Sequence, residues 1–192
     1  MRRSGNAFLL AGLLLVLGSF GLLAATMVQT NAAASAAAEL AAELEETMPP
    51  RSAGLMDSYT NMDMPALSLD GQDFIGTVAV PAFQIVLPIA ADWDSGKVSS
   101  FPCRFWGTVY DGSLILGGAD RKGQFDFLDQ IQNDDSVLVT DMTGTQFSYR
   151  VSDILRSGSA QADVLLDDSS DLTLFARNAR SLEYIIVRCV MG

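Results

Sequence analysis

The strongest constraint on the fold is the pattern of short apolar runs within residues 73–192. Phe147, Tyr149 and Val151 alternate with polar residues, which is the period of a strand with one buried face. The other runs are rich in Val and Ile, are bounded by Gly, Asp or Ser, and recur about every ten to twenty residues. This pattern suits an all-β barrel or sandwich. We expect a closed or nearly closed barrel of about eight strands with one or two short helices.

The apolar pattern changes near the N-terminus, where one long run replaces the short ones. Phe8 to Val28 contains no charged residue, and a helix of this length spans about 30 Å, the thickness of a bilayer core. Arg2 and Arg3 precede the run, and basic residues on a short flank favour the cytoplasmic side. We therefore expect residues 1–30 to form a single-pass transmembrane anchor in the cell membrane, with the rest of the chain extracellular.

A cleaved signal peptide is the alternative interpretation of this segment. The stretches at 23–25 and 32–34 offer small residues to a signal peptidase. However, the apolar run is longer than the roughly 7–15 residues of a usual signal-peptide core, which favours an uncleaved anchor.

Residues 31–72 differ in composition from both of their neighbours. The part up to residue 48 is rich in alanine and glutamate, and Pro49-Pro50 follows it. Both residue types favour helix, and proline stops one, so this part is predicted to be a helical stalk. Its apolar positions are almost all alanine, which favours a solvated spacer over a coiled-coil surface. Residues 51–72 show no clear period and are interpreted as a linker.

The charge of the chain limits its partners. All 23 acidic residues and 10 of the 12 basic residues follow residue 30, so the exported part carries 10 − 23 = −13. Nucleic acid and anionic lipid both need basic clusters, so neither is expected to bind, and the membrane is expected to be contacted only through the N-terminal helix. The acidic run at 167–171 lacks the ligand pattern of a calcium loop. No metal and no cofactor is therefore predicted.

Histidine is absent from the whole chain, and cysteine occurs twice. The lack of imidazole excludes Cys-His and Ser-His-Asp catalysis and His-ligated zinc. Cys103 and Cys189 lie in an exported domain, where they could form a disulfide or remain two separate buried thiols. If residues 184–190 form a strand, Cys189 shares the core-facing side with Ile185 and Val187, which makes it a poor nucleophile.

The order and spacing of several blocks resemble the sortases, the bacterial cysteine transpeptidases that cut cell-wall sorting signals. Residues 171–178 read DLTLFARN and resemble the Thr-Leu-x-Thr-Cys strand of that family, and residues 184–189 read YIIVRC and resemble its closing strand. The preceding blocks are residues 76–81, 85–89, 102–105, 115–119, 127–131, 137–142 and 147–151. The set is most similar to the class B-like clostridial type, and it implies a sortase-like barrel over residues 73–192.

The resemblance assigns three residues to the positions of the catalytic triad. Ala119 stands where the family has histidine, Arg177 where it has the cysteine nucleophile, and Tyr184 where it has arginine. An arginine cannot form a thioacyl intermediate, and a tyrosine brings no fixed positive charge to an oxyanion. The nearby hydroxyls of Thr173 and Ser181 have no evident base. The chain is therefore predicted to have no functional catalytic residues.

The resemblance also implies a role in cell-wall or pilus protein sorting in the Gram-positive envelope. We expect the chain to bind a sorting-signal-like peptide or an assembly protein of the wall or pilus, with Arg177 and Tyr184 contacting the peptide. Two alternatives remain open. One is an active transpeptidase with Cys103 as a relocated nucleophile, and the other is a non-enzymatic envelope scaffold.

Overall fold

A computed structural model describes residues 32–50, 52–53, 63–166 and 169–192. The transmembrane anchor predicted for residues 1–30 lies outside these ranges. Within them, no helix has both the length and the apolar character needed to cross a membrane.

Ten strands in one sheet dominate the described part of the chain. In chain order they are β1 Ser52–Ala53, β2 Leu67–Leu69, β3 Gln72–Val80, β4 Ile85–Ala90, β5 Cys103–Trp106, β6 Leu114–Ala119, β7 Ser136–Asp141, β8 Thr145–Ser157, β9 Leu172–Arg177 and β10 Tyr184–Met191. Helix α1 covers residues 32–47, α2 covers Ala162–Leu165, and 3-10 helices lie at Pro81–Phe83, Lys97–Ser99 and Phe125–Asp129. The block at 127–131 overlaps the last of these 3-10 helices.

Eight of the strands close into a barrel. The order β3, β4, β5, β6, β9, β10, β8 is continued by β7, which pairs with both β8 and β3. Strand β1 adds to β8, and β2 adds to β3. The all-β class and the closed eight-stranded barrel predicted from the sequence are therefore confirmed.

Alternate residues of the strands fill the barrel interior. Along β8, burial alternates between Thr145 and Val151, as the period of the sequence predicts. The residues predicted to be core are all buried, namely Phe147, Tyr149, Val151, Leu174, Ile185 and Val187. Burying one such aliphatic side chain contributes about 1.5–3 kcal/mol, which makes this interior the main source of stability.

The hairpin turn between β7 and β8 is organised by a buried carboxylate. Asp141 Oδ1 accepts hydrogen bonds from the backbone N–H groups of Thr143 at 2.8 Å and Thr145 at 2.9 Å. Its other oxygen accepts from the Tyr110 hydroxyl at 2.7 Å. Gly144 has a φ of 78°, which glycine adopts without strain. Asp141 thus ties the hairpin to the loop before β6.

Helix α1 packs against the protein on one face. Ala37, Ala41 and Leu44 are buried, and their spacing places them on one side of a helix. Ala37 belongs to the main core cluster, and Ala34 lies so close to Gly123 that no side chain fits there. The prediction of a solvated spacer is therefore wrong for this helix, because small alanine side chains allow close approach to the barrel.

The end of the predicted linker is also ordered. Met64 is buried, and β2 pairs with β3. Asp63 forms an ion pair with Arg104 at 2.6 Å. Residues 63–72 thus belong to the barrel domain, although their sequence shows no period, because three residues of strand are too few to produce one.

Candidate functional site

Three neighbouring strands bring the triad-equivalent residues together. Ala119 on β6 is the partner of Arg177 on β9, and Arg177 is the partner of Tyr184 on β10. Adjacent strands lie about 4.8 Å apart, so the three residues span about 10 Å in one row. The structure therefore juxtaposes the positions that the sequence resemblance selected, although nearly sixty residues separate Ala119 from Arg177 along the chain.

The row lies on the outside of the barrel wall. Leu174 and Ala176 belong to the interior core, whereas Phe175 between them packs in a separate outer cluster. Arg177 follows Phe175 by two positions and so shares its side of the sheet. Ala119 and Tyr184 face the same side, because they are the strand partners of Arg177. The centroid of the Tyr184 ring lies 6.5 Å from that of Phe175. The site is therefore an open face and not a channel through the barrel.

The loop between β9 and β10 holds Arg177. Its Nε donates a hydrogen bond to the Leu182 carbonyl at 3.0 Å, and the side chain is otherwise exposed. The Asn178 side chain shapes this loop by accepting hydrogen bonds from the backbone N–H groups of Arg180 and Ser181, both at 2.9 Å. The guanidinium is thus oriented by its own loop. Among the described residues, none forms an ion pair with it.

The loop after β6 completes the same end of the barrel. The Ala119 N–H donates to Gln124 Oε1 at 2.6 Å, and Gln124 Nε2 donates to the Val98 carbonyl at 3.2 Å. The backbone N–H of Ala179 donates to Asp120 Oδ2 at 2.8 Å, which joins this loop to the loop between β9 and β10. Ala119 itself offers only a methyl group to the site.

These two loops carry an excess of positive charge on an otherwise acidic protein. Residues 119–123 and 177–183 contain four basic and two acidic residues, so their charge is 4 − 2 = +2. All residues after residue 30 sum to −13, so the remainder carries −13 − 2 = −15. The outer row of Ala119, Arg177 and Tyr184 therefore lies where the negative charge of the protein repels an anionic ligand least.

A cleft runs along the same outer face. It has a volume of about 260 Å³ and is lined by Ile115 and Thr173 and by Leu165 and Leu166 of the α2 region. The Ile115–Thr173 pair lies four residue pairs along β6 and β9 from the Ala119–Arg177 pair. Leu165 packs with Phe175 and the outer side of β10, so α2 forms one wall. The cleft combines apolar walls with the polar groups of Ser113, Ser170 and Asp171.

An aromatic cluster separates this cleft from the row. Trp93 stacks on Phe175 with ring centroids 5.7 Å apart, and Phe105 meets both rings edge-on at 5.3 and 5.5 Å. The two stacked rings cover Gly117. Sequence reasoning missed these residues, because Trp93 reaches the site from a loop. The one sequence signal is Gly117, which interrupts an otherwise apolar strand.

The two cysteines are separate, fully buried thiols. Cys103 lies on β5 and Cys189 on β10, three strands away around the wall. That is roughly 14 Å of strand spacing, well beyond the reach of a disulfide. Burial raises the pKa of both thiols, that of Cys189 to about 12. Neither thiol is therefore suited to act as a nucleophile near neutral pH.

The nearby hydroxyl groups have structural partners. Ser181 Oγ accepts a hydrogen bond from the Glu183 N–H at 3.4 Å, and the Thr173 hydroxyl lies 3.3 Å from that of Ser170. Thr173 is also buried. Within the part of the chain that the structure describes, neither hydroxyl contacts a group that could take its proton.

Solved structures of sortases resemble this chain in fold. Sortase A of Corynebacterium diphtheriae, a lid mutant, matches with a TM-score of 0.56 and 16% identity over 84% of this chain and 95% of that one. Sortase C1 of Streptococcus suis matches with a TM-score of 0.53 and 19% identity over 62% of this chain and 73% of that one. The sortase D5 transpeptidase of Clostridium perfringens matches with a TM-score of 0.54 and 19% identity over 62% and 79%.

No protein-family model and no curated protein matches the sequence. The structural matches include sortases of several types, so they define a sortase-like fold without selecting the class B-like type expected from the sequence. The chain has a sortase-like fold, which confirms the resemblance seen in its strands.

Proposed function

We propose that this protein is a membrane-anchored, extracellular protein of the sortase type that binds a sorting-signal-like peptide or an envelope assembly partner without cleaving it. The observation that carries the proposal is the outer row of Ala119, Arg177 and Tyr184. By the sequence resemblance, the row stands at the position of a sortase active site and replaces each of its chemical groups.

Catalysis of acyl transfer needs three things that this row lacks. A nucleophile must attack the peptide carbonyl, a base must take its proton, and donors must stabilise the oxyanion. Arg177 cannot form an acyl intermediate, Tyr184 brings no fixed positive charge to an oxyanion, and Ala119 has no proton to exchange. The absence of histidine from the chain removes the usual base as well.

Binding does not depend on those groups. The cleft of about 260 Å³ beside α2 has apolar walls, and Arg177 stands at the positive end of the same face. An extended peptide could lay apolar side chains in the cleft and direct a carboxylate to the guanidinium, which forms strong, charge-assisted hydrogen bonds. We therefore assign peptide contact to Arg177 and Tyr184.

The alternative of an enzyme with a relocated nucleophile would rely on Cys103. Its thiol is fully buried and donates a hydrogen bond to the Phe101 carbonyl at 3.5 Å. A buried thiol with a raised pKa forms little thiolate at neutral pH. This observation favours the binding role over catalysis.

Fluorescence anisotropy with a dye-labelled peptide containing Leu-Pro-x-Thr-Gly tests the proposal. The full-length chain is kept in an uncharged detergent, and Arg177→Gln is compared with Arg150→Gln, which removes the same charge from an exposed position on β8. We expect Arg177→Gln to weaken binding about tenfold, because the variant loses one charge-assisted hydrogen bond to the peptide. We expect Arg150→Gln to bind like the wild type.

Mass spectrometry of the same peptide, with and without an amine acceptor, tests for turnover. We expect no cleavage and no transfer. Turnover that disappears in Cys103→Ala would establish the relocated thiol, and a complete lack of binding would support the scaffold alternative. Equal weakening by both arginine variants would show that the peptide responds to net charge and not to this site.

A further inference from the structure

A second surface, beside β5, carries all three exposed aromatic side chains found among the described residues. Trp93, Phe105 and Trp106 are 41%, 37% and 60% exposed. They adjoin one open cleft of about 370 Å³. We call these three residues the β5 aromatic patch. Monomeric proteins seldom leave large aromatic groups together in water, so such a patch marks an interaction site.

Carboxylates surround the same cleft. Its lining includes Asp63, Asp92, Asp111 and Arg104, so the lining charge is 1 − 3 = −2. Arg104 is neutralised by its 2.6 Å ion pair with Asp63, and its Nε donates to the Ala91 carbonyl at 2.8 Å. Asp92 and Asp111 therefore supply the excess negative charge.

These two carboxylates differ in how they are held. Burial acts to raise the pKa of Asp111, but hydrogen bonds from Ser113 and Thr108 outweigh it and hold that pKa below its ordinary value. Asp111 thus stays ionised at neutral pH. Asp92 is exposed, and none of the described residues donates a hydrogen bond to its carboxylate. Asp92 is therefore free to pair with a ligand.

We propose that the β5 aromatic patch and Asp92 bind arginine side chains of a polypeptide partner. A cation is attracted to the face of an aromatic ring. A guanidinium can stack flat on the ring and still form a two-pronged pair with a carboxylate, whereas an ammonium is more strongly hydrated. The charge of −13 on residues 31–192 attracts such a basic partner from a distance.

The strand pairing explains why the partner is a polypeptide. Strand β5 pairs with β4 through a single residue pair, Ala90 with Cys103. Residues 104–106 have β6 on one side and, within the described part of the chain, no strand on the other. An extended peptide can add to such an edge and place its side chains on the neighbouring surface. This surface adjoins the row at Arg177 through the contacts of Trp93 and Phe105 with Phe175. The inference does not depend on the peptide-binding role proposed for that row.

The two tryptophans of the chain both belong to the patch, so their indole N–H signals report on it. Trp93 also stacks on Phe175 beside the row, so a shift of the Trp106 signal is needed to locate binding at the patch. The experiment titrates the ¹⁵N-labelled full-length chain, in uncharged detergent, with Gly-Gly-Arg-Gly-Gly that is acetylated and amidated. We expect saturable shifts of both indole signals. The peptide in which lysine replaces arginine should bind about two- to fivefold more weakly than the arginine peptide. The peptide with citrulline, the neutral analogue of arginine, should bind at least about tenfold more weakly.

Two variants locate the binding. Asp92→Asn should weaken the arginine peptide about three- to fivefold, whereas Asp134→Asn should not, since it removes the same charge before β7, at a residue whose φ of 70° asparagine tolerates. Equal binding of the citrulline peptide, tighter binding of lysine than of arginine, equal effects of the two variants, or the absence of any shift would each overturn the proposal.

Discussion

At the scale of single residues, burial decides which side chains are chemically available. Cys103 and Cys189 are the only thiols of the chain, and both are fully buried. Arg177 is exposed, and its Nε donates a hydrogen bond to the Leu182 carbonyl. The reactive groups are thus hidden, and the group offered at the site is a cation.

Because the Cys189 thiol is buried, we expect the free energy of unfolding to fall at alkaline pH. Burial raises its pKa from 9.0 to about 12. The folded state therefore keeps this proton where the unfolded state loses it, so the stabilisation is complete below pH 9 and falls as pH rises towards 12. Between pH 8 and pH 10 we expect the free energy of unfolding of the wild type to drop by about 1.4 kcal/mol more than that of Cys189→Ala. Urea unfolding at the two pH values measures this, and parallel pH profiles of the two proteins would contradict it.

Gly117 is the residue on which the aromatic cluster depends. A Cβ at this position would lie 2.6 Å from Cζ of Phe175 and closer still to Trp93. We expect Gly117→Ala to destabilise the protein by about 1–3 kcal/mol, because the stacked rings must move. Gly158→Ala is the control, since a Cβ there meets no atom within 4 Å. Urea unfolding compares the two, and a loss in Gly158→Ala as large as in Gly117→Ala would refute this explanation.

At the scale of elements, the site is built where three strands and two loops meet. Strands β6, β9 and β10 supply the row, and the Ala179–Asp120 hydrogen bond joins the loops that follow β6 and β9. Helix α2 walls the cleft on one side. Helix α1 packs against Gly123 of the loop after β6.

The packing of α1 predicts different effects at two neighbouring alanines. Ala41 is 1% exposed, whereas Ala42 faces solvent. We expect Ala41→Glu to release the helix and destabilise the protein by about 2–4 kcal/mol, because a carboxylate would be buried without a partner. Ala42→Glu should change stability by less than about 0.5 kcal/mol.

Limited proteolysis between residues 32 and 50, together with urea unfolding, distinguishes these outcomes. Faster cleavage is expected only in Ala41→Glu. If both variants behaved like the wild type, α1 would not be docked on the barrel in solution.

At the scale of the whole molecule, charge and hydropathy are divided along the chain. Residues 1–30 carry no acidic residue, and residues 31–192 carry a net charge of −13. We expect Arg2 and Arg3 inside the cell and the barrel domain outside. Protease added to intact cells should remove the barrel domain and leave a membrane-bound fragment. A protein released into the medium with its N-terminus at or beyond Ala25 would instead indicate a cleaved signal peptide.

Features that depend on local periodicity could be predicted from the sequence alone. The alternation around Phe147, Tyr149 and Val151 indicates a strand with one buried face, and the recurrence of such runs favours an all-β barrel or sandwich. The inward direction of Cys189 follows from the same period. The absence of histidine limits the chemistry of any fold the chain adopts.

Other features required the tertiary structure, because they depend on contacts between distant segments. The parallel pairing of β6 with β9 aligns Ala119 with Arg177, a register that the sequence suggested only through resemblance. Trp93 reaches Gly117 and Phe175 from a loop without period, and the alanines of α1 give no sign of the surface that they meet. Periodicity reports which face of an element is buried, and only the packed chain determines what covers it.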